Sequence, residues 1–495
     1  MTPIPVLTTD ALRAVEASAA SASLPLMERA GRAVADAARA LAADTGSAIL
    51  VVAGPGNNGG DAWVAAAALR ESFHRVVVLD VAGEPAKAAD ARAARVAFEQ
   101  RGGTVTREWP AGAVALVVDG LLGIGLARDV DAPYAALIAR INGGSAPVLA
   151  IDVPSGLDSR TGAIRGTAVR ATRTLTFIAH KIGLHTGDGP DCCGEIACDE
   201  LGLGEAARAA AKGHLLTPQL ASPWLRKRAR NTHKGDFGTV AVVGGNRGMV
   251  GAALLTARAA LLAGAGRVYA TLLGSDAPSV DLVHPELMMR GVDDALRSDV
   301  IVAGPGAGQS PSATSVSMFE RNVLPSLIAS DRALVLDADA LNAVASSESL
   351  ASDIARRHAA TLLTPHPAEA GRLLGTDAKS VQADRLGAAL LLARQSKAYV
   401  VLKGAGSICA FPDGRWSINT TGNPGLATPG SGDVLAGIVG ALLAQGLEAE
   451  QALQYAVCAH GAAADRCVAR GLGPVGLTAS EIALEARDVI NRWCA

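Results

Sequence analysis

Aromatic side chains are scarce in this 495-residue sequence, at 3%, and charged residues reach only 19%. Hydrophobic residues nonetheless make up 49%, with alanine and glycine abundant, so a disordered chain is excluded over most of the length. No block of like charge stands out: 45 basic against 47 acidic residues leave a net charge of −2. That excludes a basic arm for nucleic acid or a polybasic membrane patch, and the short run Arg226-Lys227-Arg228 reads as a solvated linker. Long apolar runs are missing too. Stretches such as Ala62–Leu69 are too short and too interrupted for a membrane span, which needs about 20 apolar residues. The opening MTPIPVLTTD has neither a basic n-region nor an apolar h-region, so no secretory signal is expected and the cytoplasm is the expected compartment. Seven cysteines, with Cys192 and Cys193 adjacent and no CxxC pair, fit neither a disulfide framework nor a zinc site; reduced thiols are expected.

What is present is a serial α/β pattern. The length favours two domains. An opening helix over Pro25–Ala43 places Leu26, Ala30, Val34, Ala37 and Leu41 on one apolar face. Short apolar runs follow, each ending in a Gly- or Asp-containing loop: AILVVAGPGNNGGD, RVVVLDVAG, ALVVDGLLGIG, PVLAIDVPSG and TLTFIAHKIG. These read as buried parallel strands joined by alanine-rich helices. The pattern decays between Gly204 and Arg230, and a second series begins at GTVAVVGGNRG. We expect domains 1–213 and 214–495. The phrase V-A-G-P-G occurs in both halves, at Val52–Gly56 and Val302–Gly306, and reads as shared turn chemistry rather than a repeat.

In the first half, Gly54 to Asp61 (GPGNNGGD) follows a strand and opens a helix. Its four glycines allow positive φ angles and close backbone approach, and the helix start offers amide hydrogens to a phosphate. A sharp strand-to-helix turn is the plainer alternative. Asn58, Asp119 and Ser155 end three different strands, where an open α/β sheet gathers its ligand, and such oxygen donors suit an alkali or alkaline-earth cation. An Asp that only caps the next helix is the alternative for Asp119. Asp152 and Lys181 are the titratable pair expected beside a reacting carbon, since moving a proton on and off carbon needs an acid and a base.

The runs GPGNNGGD, VDGLLGIGL, IDVPSGLDS and HKIGLHTG resemble, in order over about residues 10–210, the NAD(P)H-hydrate epimerase family. The resemblance implies a Rossmann-like three-layer sandwich that interconverts R and S nicotinamide hydrates, with bound potassium at Asn58, Asp119 and Ser155. It also implies cofactor contacts from Asn57, Asn58, Gly59, Gly60 and Asp61, from Gly123, Ile124, Gly125, Leu126, Ala127, Arg128 and Asp129, and an electrostatic or acid–base role for Asp152. Ala62 stands where the family usually has glycine.

In the second half, GSGDVLAG leads small residues into an apolar helix with Asp433 in its first turn. Exposed amides there can stabilise a transferring phosphoryl group while the Asp takes the proton of an attacking hydroxyl. KGAGS (Lys403–Ser407) is a second Gly-rich loop suited to nucleotide phosphates, and HPAEAGRLL adds His366 and Glu369, the latter able to reach magnesium directly or through water.

Together with KGDFGTVAVVGGNRGMVGAA, GPGAGQS and LDADALN, these motifs resemble over about 221–491 the C-terminal dehydratase domain of the same bifunctional family, and more broadly the ribokinase-like fold. The resemblance implies ADP- or ATP-dependent dehydration of the S hydrate to NADH or NADPH. It places hydrate contacts at Ala253, Gly308, His366 and Asp433, and nucleotide contacts at Lys403, Gly404, Ala405, Gly406, Ser407 and Gly432. Departures are Pro429 and Ser431, where Gly and Thr are usual, and Ser407 for Thr. A homo-oligomer is expected, of a copy number the sequence does not decide. The alternative reading is a ribokinase-like small-molecule kinase with an accessory binding domain.

Overall fold

The computed structural model describes residues 2–21, 25–42, 46–81, 89–126, 128–308 and 317–494. The chain forms two compact units, residues 4–213 and 214–495. Ala43 of the expected opening helix, Ala127 of the expected cofactor loop, and Gln309 and Ser310 of GPGAGQS lie outside the described residues.

The first unit carries strands β1 (Ile4–Leu7), β2 (Ala48–Ala53), β3 (Val76–Asp80), β4 (Thr104–Thr106), β5 (Val114–Gly120), β6 (Val148–Ile151), β7 (Arg173–Phe177), β8 (His180–Lys181) and β9 (Glu195–Asp199). Seven form a parallel sheet in the order β4-β3-β2-β5-β6-β7-β9, and β1 pairs with β8. Side chains alternate across a strand, so a strand apolar at every position needs cover on both faces. In β2, Ile49, Val51 and Ala53 pack with Ala30 and Val34 of helix Leu26–Leu41 and with Ala62, Ala65 and Leu69 of helix Asn57–Glu71. Leu50 and Val52 instead meet Ile138 and Ile141 of helix Ala132–Asn142. This is the expected three-layer sandwich. The buried stripe of helix Leu26–Leu41 runs through Ala30, Gly31, Val34, Ala35 and Ala38, leaving the expected Leu26, Ala37 and Leu41 on its flanks.

The second unit carries β10 (Gly213–Leu216), β11 (Thr239–Gly244), β12 (Arg267–Leu272), β13 (Met288–Met289), β14 (Val300–Ala303), β15 (Ala333–Leu336), β16 (Thr361–Leu363), β17 (Tyr399–Leu402), β18 (Ile408–Ala410) and β19 (Trp416–Asn419). Their order is β13-β12-β11-β14-β15-β16-β17-β18-β19-β10. Pairing is parallel from β13 to β17 and antiparallel through β18 and β19. Val240, Val242, Val300, Val302 and Val335 face a core built on helices Val250–Leu262, Ser431–Ala444 and Ala449–Ala469, while Ala241, Val243, Ile301, Ala303 and Leu334 are fully buried too. Both faces of this sheet are covered.

The glycines of GPGNNGGD do not act as the sequence suggests. None of Gly54, Gly56, Gly59 and Gly60 has a positive φ. Close approach is what requires them: a methyl on Gly54 would run into the Leu121 carbonyl, and one on Gly59 into the Gly54 carbonyl. Gly59→Ala should therefore destabilise the protein. The helix gains about 1 kcal/mol in propensity, but overpacking against backbone that cannot swing aside costs about 1–3 kcal/mol or more. Thermal unfolding of the full chain tests this, and an unchanged or raised midpoint would show that the loop has slack.

Candidate functional site

Open α/β sheets bind ligands at the carboxyl edge where the strand order reverses. In the first unit that point lies between β2 and β5, whose exit loops carry GPGNN and Leu121–Leu126. Helix Asn57–Glu71 starts there with Gly56 as its N-cap and no side chain capping its amides. Asn57 is exposed, whereas Asn58, Gly59 and Gly60 are buried. Asn58 Nδ2 donates to Leu122 O at 2.9 Å, and Ser155 Oγ accepts from Leu122 N at 2.8 Å. Asp119, fully buried, accepts from Ser155 Oγ at 2.6 Å and Ser155 N at 2.9 Å. The three residues thus gather around the Leu122 backbone. Burial raises the Asp119 carboxyl above its usual range, against the pull of its Ser155 hydrogen bonds. Asp119 caps no helix, since the next begins at Ala132. Gly123, Ile124, Gly125 and Leu126 continue the same exit loop, closed by a Leu126 N to Gly123 O bond of 3.3 Å. Arg128 and Asp129 are exposed, and Arg128 pairs with Asp131 at 3.0 Å.

Asp152 follows β6 with φ of +63°, a left-handed conformation that costs energy in a non-glycine residue and gathers at functional sites. Its Oδ1 accepts from Lys181 Nζ at 2.5 Å, Thr176 Oγ1 at 3.0 Å and Phe177 N at 3.2 Å. Lys181, buried, also donates to Thr176 Oγ1 and Phe177 O, each at 2.8 Å. The structure therefore joins the expected acid–base pair directly. Asp61 lies in the same field: burial, then Asp152 and Glu16, raise its carboxyl well above the usual range. Glu16, likewise raised by burial and by Asp152, was missed in the sequence because helix Thr9–Ser21 carries no motif. Ala62, the departure from the family pattern, is fully buried and fills the space that a methyl on Gly120 would need.

The second unit reverses strand order between β11 and β14. Gly308, with φ of +82°, lies on the β14 exit, donates its N–H to Asp339 Oδ2 at 2.9 Å, and abuts Asn246. Ala253, in the first turn of helix Val250–Leu262, is fully buried, so its methyl belongs to the core.

Asp433 stands in the first turn of helix Ser431–Ala444, whose N-cap Gly430 is left-handed (φ +84°, ψ −6°) and offers no side-chain cap. Ser431 N donates to Thr428 O at 3.3 Å. Residues 428–431 thus make a type II turn with proline at its preferred second position and glycine at the third, so Pro429 fits the turn rather than disturbing it. Ser431, buried, meets His460 Nε2 through its hydroxyl at 3.3 Å. Burial, followed by the nearby Asp337 carboxylate, pushes the Asp433 carboxyl up to about 7 against the pull of Lys403.

The Lys403 ammonium turns inward to Asp337 Oδ1 at 3.0 Å and Glu369 Oε2 at 3.9 Å, and a methyl on Gly432 would touch it at 3.1 Å. Burial opposes its charge, but Asp337 and Glu369 outweigh that and raise its pKa. Asp337 also accepts from Thr364 Oγ1 at 2.7 Å. LDADALN contained this signal, two Asp residues just past a strand, yet neither was singled out. Gly404 (φ +139°) and Gly406 (φ +60°) need glycine's freedom, and Ser407 closes the loop on Gly404 O at 3.1 Å. Ala405 lies between these two glycines.

His366 caps helix Pro367–Leu373: its Nδ1 accepts from Ala368 N at 3.1 Å and Glu369 N at 3.3 Å, while Glu369 Oε2 accepts from His366 N at 2.8 Å. Glu369 is therefore held by a capping box and by Lys403. Among the described residues no group of three His, Cys, Asp or Glu side chains is placed to hold a metal ion. All seven cysteines are free thiols, and no helix among the described residues is long and apolar enough to cross a membrane.

Comparison with known proteins finds matches in both halves of the chain. Residues 240–484 match the family described as NAD(P)H-hydrate dehydratase, and residues 23–183 the YjeF-related protein N-terminus. The bifunctional NAD(P)H-hydrate repair enzyme of Coxiella burnetii is 40% identical over 457 residues, 90% of each chain. That of Escherichia coli is 36% identical, over 94% of this chain and 89% of its own. Among solved structures, the ADP/ATP-dependent NAD(P)H-hydrate dehydratase of Bacillus subtilis, co-crystallised with ATP and Mg2+, is 29% identical with a TM-score of 0.49, covering 56% of this chain and 98% of its own. With both halves matched in order and relatives aligned along nearly their whole length, the chain belongs to the bifunctional NAD(P)H-hydrate repair enzyme family, which joins an epimerase to a dehydratase.

Proposed function

We propose that the first domain, residues 1–213, equilibrates the R and S hydrates of NADH and NADPH, and that the second, residues 214–495, dehydrates the S form at the expense of ADP or ATP. The observation that carries the second step is Asp433, half-buried at an uncapped helix start beside Asp337 and Lys403. Asp433 accepts the proton of the hydrate's C6 hydroxyl as that oxygen attacks the terminal phosphorus of the nucleotide. The first-turn amide of Gly432 faces the charge on the transferring phosphoryl group. The C6–O bond then breaks with phosphate as the leaving group, the neighbouring carbon loses a proton, and the dihydropyridine is restored. Loop 403–407 holds the nucleotide phosphates, and Gly308 and His366 border the hydrate. In the first domain, Lys181 and Asp152 move protons at the hydrated ring, while the Asn57–Asp61 and Gly123–Asp129 segments take the cofactor phosphates.

The test uses the full chain with a mixture of both hydrates, magnesium and each nucleotide in turn. Recovery of reduced-nicotinamide absorbance from both epimers is the expected result. A stable phosphorylated product without that absorbance would replace this reading with a kinase.

The oxygens around Leu122 fit potassium: Asn58 Oδ1, the Asp119 carboxylate, Ser155 Oγ and Leu122 O give one formal charge among neutral donors, which suits a monovalent ion. A buried carboxylate with neutral hydrogen-bond donors is also short of positive charge. Held by these oxygens, potassium would supply that charge beside the Leu122 backbone. Asp119→Ala should lower epimerisation at least about tenfold, the lower end of what losing even an outer partner costs a metal site. Dehydration of the S hydrate should persist. Wild-type epimerisation should also run faster in potassium than in a bulky organic cation at equal ionic strength. Equal rates in both salts would reduce Asp119 to a support for the Leu121–Ser155 backbone.

A further inference from the structure

Thr176 stands between the two members of the proposed epimerase pair. It lies on β7, beside the strand exit that carries Asp152: Ile151 pairs with Leu175, and Asp152 N donates to Leu175 O at 2.8 Å. Its hydroxyl accepts from Lys181 Nζ at 2.8 Å and donates to Asp152 Oδ1 at 3.0 Å. The direction is fixed, because an ammonium can only donate and the hydroxyl has one hydrogen to pass on.

Counting hydrogens separates the parts that the two charged groups play. An ammonium has three. Those of Lys181 go to Asp152 Oδ1, Thr176 Oγ1 and Phe177 O, so none remains for a ligand. On the carboxylate the arrangement is one-sided: Lys181, Thr176 and Phe177 N all donate to Oδ1, and no donor to Oδ2 is present among the described residues. Exposure divides the same way. Thr176 is 0% exposed, the Lys181 side chain 4% and the Asp152 side chain 13%, so a ligand at this edge of the sheet meets Asp152 and not the groups behind it.

The backbone on both sides is held in an uncommon turn. Val153 N donates to Ile151 O at 2.7 Å across Asp152, and Ala179 N donates to Phe177 O at 2.7 Å across Ile178, whose φ is +68°. Each is a three-residue turn with a left-handed central residue, the rarer and more strained kind, and such strain gathers where a group has to be aimed. The first turn aims the carboxylate, and the second returns the chain to Lys181.

We propose that Oδ2 of Asp152 is the atom that exchanges a proton with the hydrate, and that Thr176 is a positioning residue which, together with Lys181, pins Oδ1 so that Oδ2 is presented to the ligand. Lys181 acts on the ring through Asp152. This rests on the reading that Asp152 and Lys181 form the epimerase pair, and deepens it by naming the reacting oxygen.

The experiment measures kcat and KM for conversion of the R hydrate to the S hydrate by the full-length protein without nucleotide, so that dehydration does not intervene. Wild type is compared with Thr176→Val, Thr176→Ser, Thr176→Ala and Asp152→Asn, each checked by thermal unfolding. Thr176→Val keeps the shape without the hydroxyl and should lower kcat at least about tenfold, part of the 10²–10⁴-fold that a positioned proton-exchanging group supplies, with KM within about threefold. Thr176→Ser keeps the hydroxyl and should hold kcat within about threefold of wild type. A folded Thr176→Val with kcat within twofold of wild type overturns the proposal, as does a loss that falls on KM alone or a Thr176→Ser as impaired as Thr176→Val. Should Thr176→Val fail to fold, Thr176→Ser and Thr176→Ala, which differ only in the hydroxyl, decide: a tenfold gap in kcat supports the proposal, and equal kcat overturns it. Asp152→Asn tests the underlying reading, because it keeps an oxygen for the three donors and puts in place of Oδ2 an amide nitrogen that cannot take a proton. If that variant epimerises normally, the pair and the role of Thr176 both fall; if it is inactive while Thr176→Val is normal, only the role of Thr176 falls.

Discussion

Asp433→Asn should abolish most dehydration, by about 10²–10⁴-fold, while epimerisation continues and the protein stays folded. The side chain keeps its size, and what it loses is the ability to accept a proton. With the carboxyl pushed up to about 7, wild-type kcat/KM for the S hydrate should climb as pH rises through 7 and level off above it. The variant should lack that limb. Stability should move the other way. In the unfolded chain this carboxyl ionises near its ordinary 3.8, so the native state binds the proton more tightly between about 4 and 7. That contribution is full below the unfolded value and lost as pH rises through 7, so Asp433→Asn should be the more stable protein at pH 8. A folded variant with turnover within a few-fold of wild type would remove Asp433 from the proton transfer.

Lys181→Met carries the second large effect. Its ammonium and the Asp152 carboxylate are 4% and 13% exposed, and deleting one partner of a buried pair typically costs about 3–5 kcal/mol because the other charge is stranded. We expect a sharply lowered melting temperature together with loss of epimerisation by about 10²–10⁴-fold. Asp152→Asn separates the two effects. An asparagine oxygen still accepts from Phe177 N and Lys181, so stability should fall less, while the acid–base exchange is lost just as fully. Each variant should still dehydrate the S hydrate and leave the R hydrate behind. Epimerisation surviving in a folded Asp152→Asn would confine the pair to a structural role.

How far the residues announced this arrangement depends on what kind of information a position carries. Long apolar runs such as AILVVA and TVAVVG show their burial directly, and the marked runs from β2 to β11 became strands. The strands β4, β9, β13 and β18 are short or half polar and derive their pairing from neighbours, which no local pattern records. Glycine was the least transparent residue. The two V-A-G-P-G phrases differ in backbone: Gly304 and Gly306 have φ of +116° and +59°, whereas Gly54 and Gly56 have none positive. Composition shows that freedom is available, not how it is used. The direction of the Lys403 side chain is likewise unwritten in the local sequence, since it is set by Asp337 and Glu369, each on a different strand exit. Asp152 and Lys181, 29 residues apart, were paired correctly only because the chemistry demands two titratable groups.

The turn at Thr428–Ser431 bears on how a nucleotide is received. With glycine in place of proline at 429, the segment before helix Ser431–Ala444 would be ordered from a wider ensemble each time the chain folds. Here proline narrows that ensemble in advance; a compatible proline is worth about 0.4–1 kcal/mol through the unfolded state alone. The glycine after it is already left-handed and the helix amides are already aligned. For a phosphate bound here as proposed, less of the binding energy goes into arranging the loop. Replacing Pro429 with the more usual glycine would make capture of the phosphate more entropically demanding, and the difference should widen on warming.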